Sequence, residues 1–152
     1  ISQANALNVT FPLLGGDTWD SNKVVEVATG TNLNIYVSTF YQEGGAPEFD
    51  SGFKAWLNAN PDMLTNNGGN DIVAAVSAMG YDAYFVALEA MKLAGSTDSK
   101  AINEAIWNVD YTGVSGEITF ADPGDAVRNV AYIKTANTET GEWDFVTVQS
   151  VD

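Results

Sequence analysis

The chain has 152 residues, six of them basic and twenty acidic, for a formal charge of −14, and it contains neither cysteine nor histidine. Such a surface repels phosphate, so nucleic acid and anionic lipid are not expected partners. The absent residue types exclude disulfides, thiol nucleophiles and Ser-His-Asp triads, and remove the usual zinc and copper ligands.

Apolar residues make up 45% of the chain, enough at this length for a globular protein with its own core. No run of about eighteen apolar residues occurs, so no helix is expected to cross a membrane. The opening ISQANALNV has no basic n-region and no apolar h-region, so any secretion signal is expected to lie outside this chain.

In chain order, Ser2 to Leu7 reads as the end of a helix. Val9 to Leu14, an apolar run halted by Gly15-Gly16, reads as a buried strand. Asp20 or Ser21 caps a helix through about Ala28, and Asn34 to Tyr41 (NIYVSTFY) is a second strand. Strand, loop, helix and strand joined by short connections predict an α/β fold. Pro47 opens a helix through about Asn60, with Phe49, Phe53, Trp56 and Leu57 on one face. TNNGGN (65–70) is a loop. Asp71 to Ala94 is a long helix, apolar nearly all round and interrupted by Gly80, and is predicted to be covered on both sides. Asp98 or Ser99 caps a short amphipathic helix, KAINEAIWNV.

From Tyr111 the texture is that of a sheet. Glu117 to Phe120 is a short strand, and Asp122-Pro123-Gly124-Asp125 suits a type II turn with Gly124 at positive φ. Val130 to Thr135 and Phe145 to Ser150 read as two strands across the turn NTETGE.

Few segments carry chemistry. Gly15-Gly16-Asp17 lacks the further glycines and the lysine of a phosphate-binding loop, and its acid would repel a phosphate. A calcium loop beginning at Asp122 requires an acid at position 133, where Ile133 stands, so no metal is expected. Asp17 has two readings. It caps the following helix, or, because Asp20 and Ser21 are better placed for that, it faces a crevice at the carboxyl end of a strand, where α/β sheets collect ligands. Asp17 with Asp20 also offers the two carboxylates of an acid-dependent hydrolase.

PLLGGDTWDS (12–21) resembles a segment of the type I periplasmic binding proteins, in the branched-chain amino-acid-binding (leucine/isoleucine/valine-type) branch of the ABC transporter substrate-binding proteins. AMGYDAYFVALEAMKLAGS looks like that family's long helix, and YTGVSGEITFADPGD is similar to its hinge strand and following turn. The three motifs stand in the family's order. The resemblance implies two flavodoxin-like α/β lobes joined by three crossovers and closing on a ligand, of which this chain is the C-terminal half. Residues 1–40 and 128–152 are expected in the second lobe, 46–115 among the helices of the first, and 116–127 in a hinge crossover and turn that involves Gly113, Gly116 and Gly124.

The same resemblance implies that Asp17 receives the α-ammonium of an amino acid and that Trp19 is a cleft wall or a packing anchor. It implies a binding protein rather than an enzyme, with no cofactor. The expected partners are an amino acid, a membrane ABC permease, and either the N-terminal half or a swapped second copy. The expected location is periplasmic or extracellular, with a lipoprotein tether from an upstream signal. The ligand-binding domain of an amino-acid-sensing receptor is the alternative.

Overall fold

A short helix, α1 (Ser2–Ala6), leads to β1 (Leu13–Gly15) and then to α2 (Asn22–Ala28) and β2 (Ile35–Thr39). The computed structural model describes residues 1–122 and 124–150. In β2, Ile35, Val37 and Thr39 are buried while Tyr36 is half-buried and Ser38 exposed, the period of two that a strand with one covered face shows. Next come α3 (Pro47–Ala59), α4 (Pro61–Asn66), α5 (Ala75–Ala94), α6 (Ser99–Ala105), the hairpin strands β3 (Tyr111–Gly113) and β4 (Gly116–Ile118), and finally β5 (Val130–Asn137) and β6 (Glu142–Ser150).

Two compact units result: Ile1–Ala75 with the strands from Val130 onward, and Val76–Asn129. In the first, the sheet order is β1-β2-β5-β6. β1 runs parallel to β2 with Leu13 opposite Ile35, whereas β5 is antiparallel to both β2 and β6. Val25 and Ala28 of α2 close the sheet face over Ile35 and Ala136, with Trp19 and Trp143 packed at the margin. In the second unit, Val86 and Ala90 of α5 meet Val109 and Ile118, flanked by Ile102, Ile106 and Phe120.

Several boundaries differ from the sequence reading, each for a local reason. β1 is Leu13–Gly15 rather than Val9–Leu14, because the chain leaves α1 through Asn8 at φ 51 and first reaches the sheet when Leu13 N–H donates to Asn34 O at 2.8 Å. Residues 61–66 form α4, so the loop expected over 65–70 begins only after Asn66. Asn60 precedes a proline and is pushed out of the helical region (φ −128, ψ 86), and Pro61 then opens a new helix. The long helix begins at Ala75, not Asp71, because side chains claim the backbone before it: Asn70 Oδ1 accepts from Ile72 N, Asn67 Nδ2 donates to Ile72 O, and Glu43 Oε2 accepts from Val73 N.

Helix α5 is not covered on both sides among the described residues. Ala78, Asp82, Val86 and Ala90, spaced four apart, form its buried stripe, while Val76 and Tyr84 are each 63% exposed and Leu93 is 50% exposed. Of the two expected caps for α2, Ser21 is the one used, accepting from Val24 N at 3.4 Å. The turn expected over Asp122–Asp125 includes Pro123, which lies outside the described residues. Beside it, Gly124 has φ 127 and donates to Ala121 O at 2.7 Å.

Candidate functional site

Asp17 lies immediately beyond the carboxyl end of β1, at the start of a 3-10 turn, Asp17–Trp19, that follows Gly16. Its backbone carbonyl accepts from Asp20 N at 2.9 Å. Its carboxylate is part-exposed and has neither a hydrogen bond nor an ion pair among the described residues. Trp19 does not share that openness. Its indole folds back over Gly15, where a Cβ would lie 2.6 Å from the ring, and packs on the core cluster of Val25 and Ile35. Gly15 therefore ends the strand as a platform for an aromatic ring, a close approach that any side chain would block.

Asp20 has been withdrawn into the fold. It is 6% exposed, accepts Lys134 Nζ at 3.0 and 3.2 Å, and takes the Thr39 hydroxyl at 2.8 Å. A buried carboxylate needs both a partner charge and hydrogen bonds, and Asp20 has both. It is thus engaged by Lys134 and Thr39, which argues against its use with Asp17 as a second catalytic acid. Lys134, 114 residues away in sequence, escapes any local reading.

Beside that ion pair the same unit has a cavity of about 510 Å³, lined by Asp20, Glu43, Lys54, Asp71, Lys134 and Glu142 together with Gln42 and Trp143. Neither Asp17 nor Trp19 lines it. Lys54 pairs with Glu43. The hydrogen bond to Glu43 holds the lysine above its ordinary range against the opposing effect of burial, and the Asp71 and Asp50 charges add to this. Asp71 accepts Asn58 Nδ2 at 2.9 Å. Gln42 donates through Nε2 to Glu43 O at 3.1 Å, whereas its Oε1 is buried and accepts nothing among the described residues. An acceptor left so costs about 1–3 kcal/mol. The Trp143 indole is fixed by donating to Ser21 O at 3.3 Å.

At the edge of this unit, Tyr41 O–H donates to Asp50 at 2.6 Å, and Asp50 also accepts Gly44 N at 2.7 Å, which ties the segment after β2 to α3. Burial first, and then the Asp50 carboxylate, push the Tyr41 phenol well above its usual value.

In the second unit the glycines singled out from sequence frame a hairpin. Gly113 and Gly116 pair across its two-residue turn, with Gly116 at φ 104. The carboxylate of Asp82, from the middle of α5, accepts Val114 N and Ser115 N at 2.8 Å each and the Ser115 hydroxyl at 2.5 Å. Arg128 closes the group by donating to Ser115 O at 2.8 Å and Ser115 Oγ at 3.1 Å. A Cβ on Gly113 would collide with the Asp82 carboxylate. Gly124 stands apart from this group, facing Trp107. Asp82 was missed in the sequence, although a lone acid inside an apolar helix is itself a signal that something pairs with it.

Solved structures with this architecture decide the fold. A leucine-binding protein, LivK, from Thermotoga maritima matches with a TM-score of 0.73 at 28% identity, over 97% of this chain and 40% of that one. The chain has part of the type I periplasmic-binding-protein fold. An ABC transporter substrate-binding protein from Desulfitobacterium hafniense, in complex with Leu, shares the fold with a TM-score of 0.59 at 20% identity, over 95% of this chain and 38% of that one. A further structure of an ABC transporter substrate-binding protein from the same organism gives 0.56 at 20% identity with the same coverage. The chain thus spans about 40% of the length of the type I periplasmic binding proteins it matches. No family model matches it, and no curated protein does.

Proposed function

We propose that this chain is part of an extracytoplasmic solute-binding protein that captures an amino acid of the aliphatic, branched-chain class in the interlobe cleft of the complete protein and delivers it to an ABC importer. The observation that carries the reading is the Asp17 carboxylate, unpartnered among the described residues at the carboxyl end of a strand, while Ser21 alone serves as the cap of α2. Asp17 receives the ligand's α-ammonium, and Trp19 anchors the turn that presents it. The likeness to a leucine-binding protein supports the ligand class.

In this reading residues 1–40 and 128–152 contribute to the second lobe and helices of 46–115 to the first. Residues 116–127, with Gly113, Gly116 and Gly124 around them, form the crossover and turn. The protein binds its ligand without converting it, takes no cofactor, and works in the periplasm or at the cell exterior on a lipoprotein tether.

Calorimetry of the complete protein with leucine, isoleucine, valine and glutamate tests this. The expected result is one-to-one binding of an aliphatic amino acid, recovered unchanged. Turnover of a substrate, or no binding of any amino acid, overturns it.

A further inference from the structure

The cavity beside the Asp20–Lys134 pair is separate in its lining from Asp17, and its chemistry points to another kind of ligand. Four carboxylates against two lysines leave the lining two charges negative. Both lysines are already spent, Lys134 on Asp20 and Lys54 on Glu43. The Asp71 carboxylate has an amide partner only, and the exposed Glu142 carboxylate has no hydrogen bond or ion pair among the described residues. The uncompensated charge thus comes from two separate segments, the approach to α5 and the start of β6.

A bound metal does not fit this arrangement. Among the described residues no three acidic side chains converge closely enough to hold one, and hard cations take six or more oxygens. An organic cation fits better. The cavity has small-molecule dimensions, and the Trp143 indole that lines it offers an aromatic wall for an ammonium or its alkyl chain. The surrounding charge of −14 draws cations toward it.

We propose that this cavity is a second ligand site, for a small organic dication of the alkyl diamine class, with Asp71 and Glu142 neutralising its two ammonium groups beside Trp143. The site is distinct from that of the amino-acid reading, since neither Asp17 nor Trp19 lines it, although Asp20, whose N–H closes their turn, does.

Titration of the chain with 1,4-diaminobutane, with 1,4-butanediol as the uncharged control, tests the proposal by calorimetry. Saturable one-to-one binding of the diamine and silence of the diol are expected. Glu142→Gln and Asp71→Asn should each weaken binding about three- to tenfold, because each removes one charge from a partly open site. A readout that needs no substitution is the Trp143 indole N–H resonance, which should shift with diamine and not with diol. Absence of saturable binding up to about 10 mM, weaker than any affinity of note, overturns the proposal. So does binding untouched by both substitutions, binding lost in Asp17→Asn instead, or an unmoved Trp143 resonance at saturation.

Discussion

Asp82 and Ser115, 33 residues apart, are joined by two hydrogen bonds to one carboxylate oxygen, from the Ser115 backbone N–H and from its hydroxyl. With Val114 N on the other oxygen, a single helical side chain satisfies the donors of a hairpin turn. Asp82→Ala leaves three donors without their acceptor and should destabilise the chain by roughly 3–5 kcal/mol. Ser115→Ala keeps both backbone bonds and should cost about 1 kcal/mol. Urea denaturation of the two variants measures the order; equal costs would mean that the turn does not depend on the carboxylate.

Gly113 is small because Asp82 occupies the space a side chain would need. Gly113→Ala should therefore be severe in the native background and mild once Asp82 is alanine, with a coupling on the order of 1–3 kcal/mol. A double-mutant cycle that finds simple additivity removes this explanation of the glycine.

The Tyr41–Asp50 bond makes stability sensitive to alkali. Tyr41 is 1% exposed and its phenol is held above the ordinary 10.0, so the folded state keeps a proton that the unfolded state releases. The contribution is complete below pH 10.0 and is lost as pH rises past it, at about 1.4 kcal/mol per pH unit. Melting from pH 9 to 11 should show this fall in the native chain. Tyr41→Phe, less stable at pH 8, should lack that component of the slope.

For Asp17 the expected behaviour separates binding from folding. On the role proposed for it, Asp17→Asn in the complete protein should weaken amino-acid affinity by roughly 2–5 kcal/mol, about 30-fold to several thousand-fold, with little change in melting temperature. Ser21→Ala should do the opposite, costing about 1 kcal/mol of stability while sparing affinity. Calorimetry and thermal melts on both variants decide. An Asp17→Asn protein with native affinity and a lowered melting temperature sinks the ligand role.

The exposed side of α5 should make the chain associate. Val76, Tyr81, Tyr84 and Met91 are exposed and share the side of the helix opposite its buried stripe, an apolar surface of the kind that monomers avoid, and association with a second copy would cover it. Light scattering is expected to show a species larger than 16.2 kDa; a stable monomer argues against it.

What the sequence revealed divides by the range of the forces involved. α2, β2 and α3 were legible because their periodicity and caps are local: Ser21 precedes its helix, and Pro47 opens the next. The start of α5 was not, since Asn67, Asn70 and Glu43 draw residues 72 and 73 out of helical geometry. The Asp17 turn was visible as a motif, but the removal of Asp20 into an ion pair with Lys134 depends on a strand 114 residues later. The cavity has no sequence signature because its lining comes from six separated stretches.

The order of the strands also sets a timetable. β2 gains β1 as a parallel neighbour early, but its other edge waits for β5, roughly ninety residues farther along the chain. At about 5–20 residues per second of synthesis, that edge stays open for roughly 5–20 s on the ribosome. The segment in question, IYVSTFY, is β-branched and aromatic and carries no charge, the composition most prone to pair with a neighbouring chain. The intervening unit, Val76–Asn129, has its own core, and its folding takes its residues out of the flexible loop that β5 must close. Variants that slow folding of that unit, such as Asp82→Ala, should thus reduce the yield of soluble protein by prolonging the exposure of a strand they never touch.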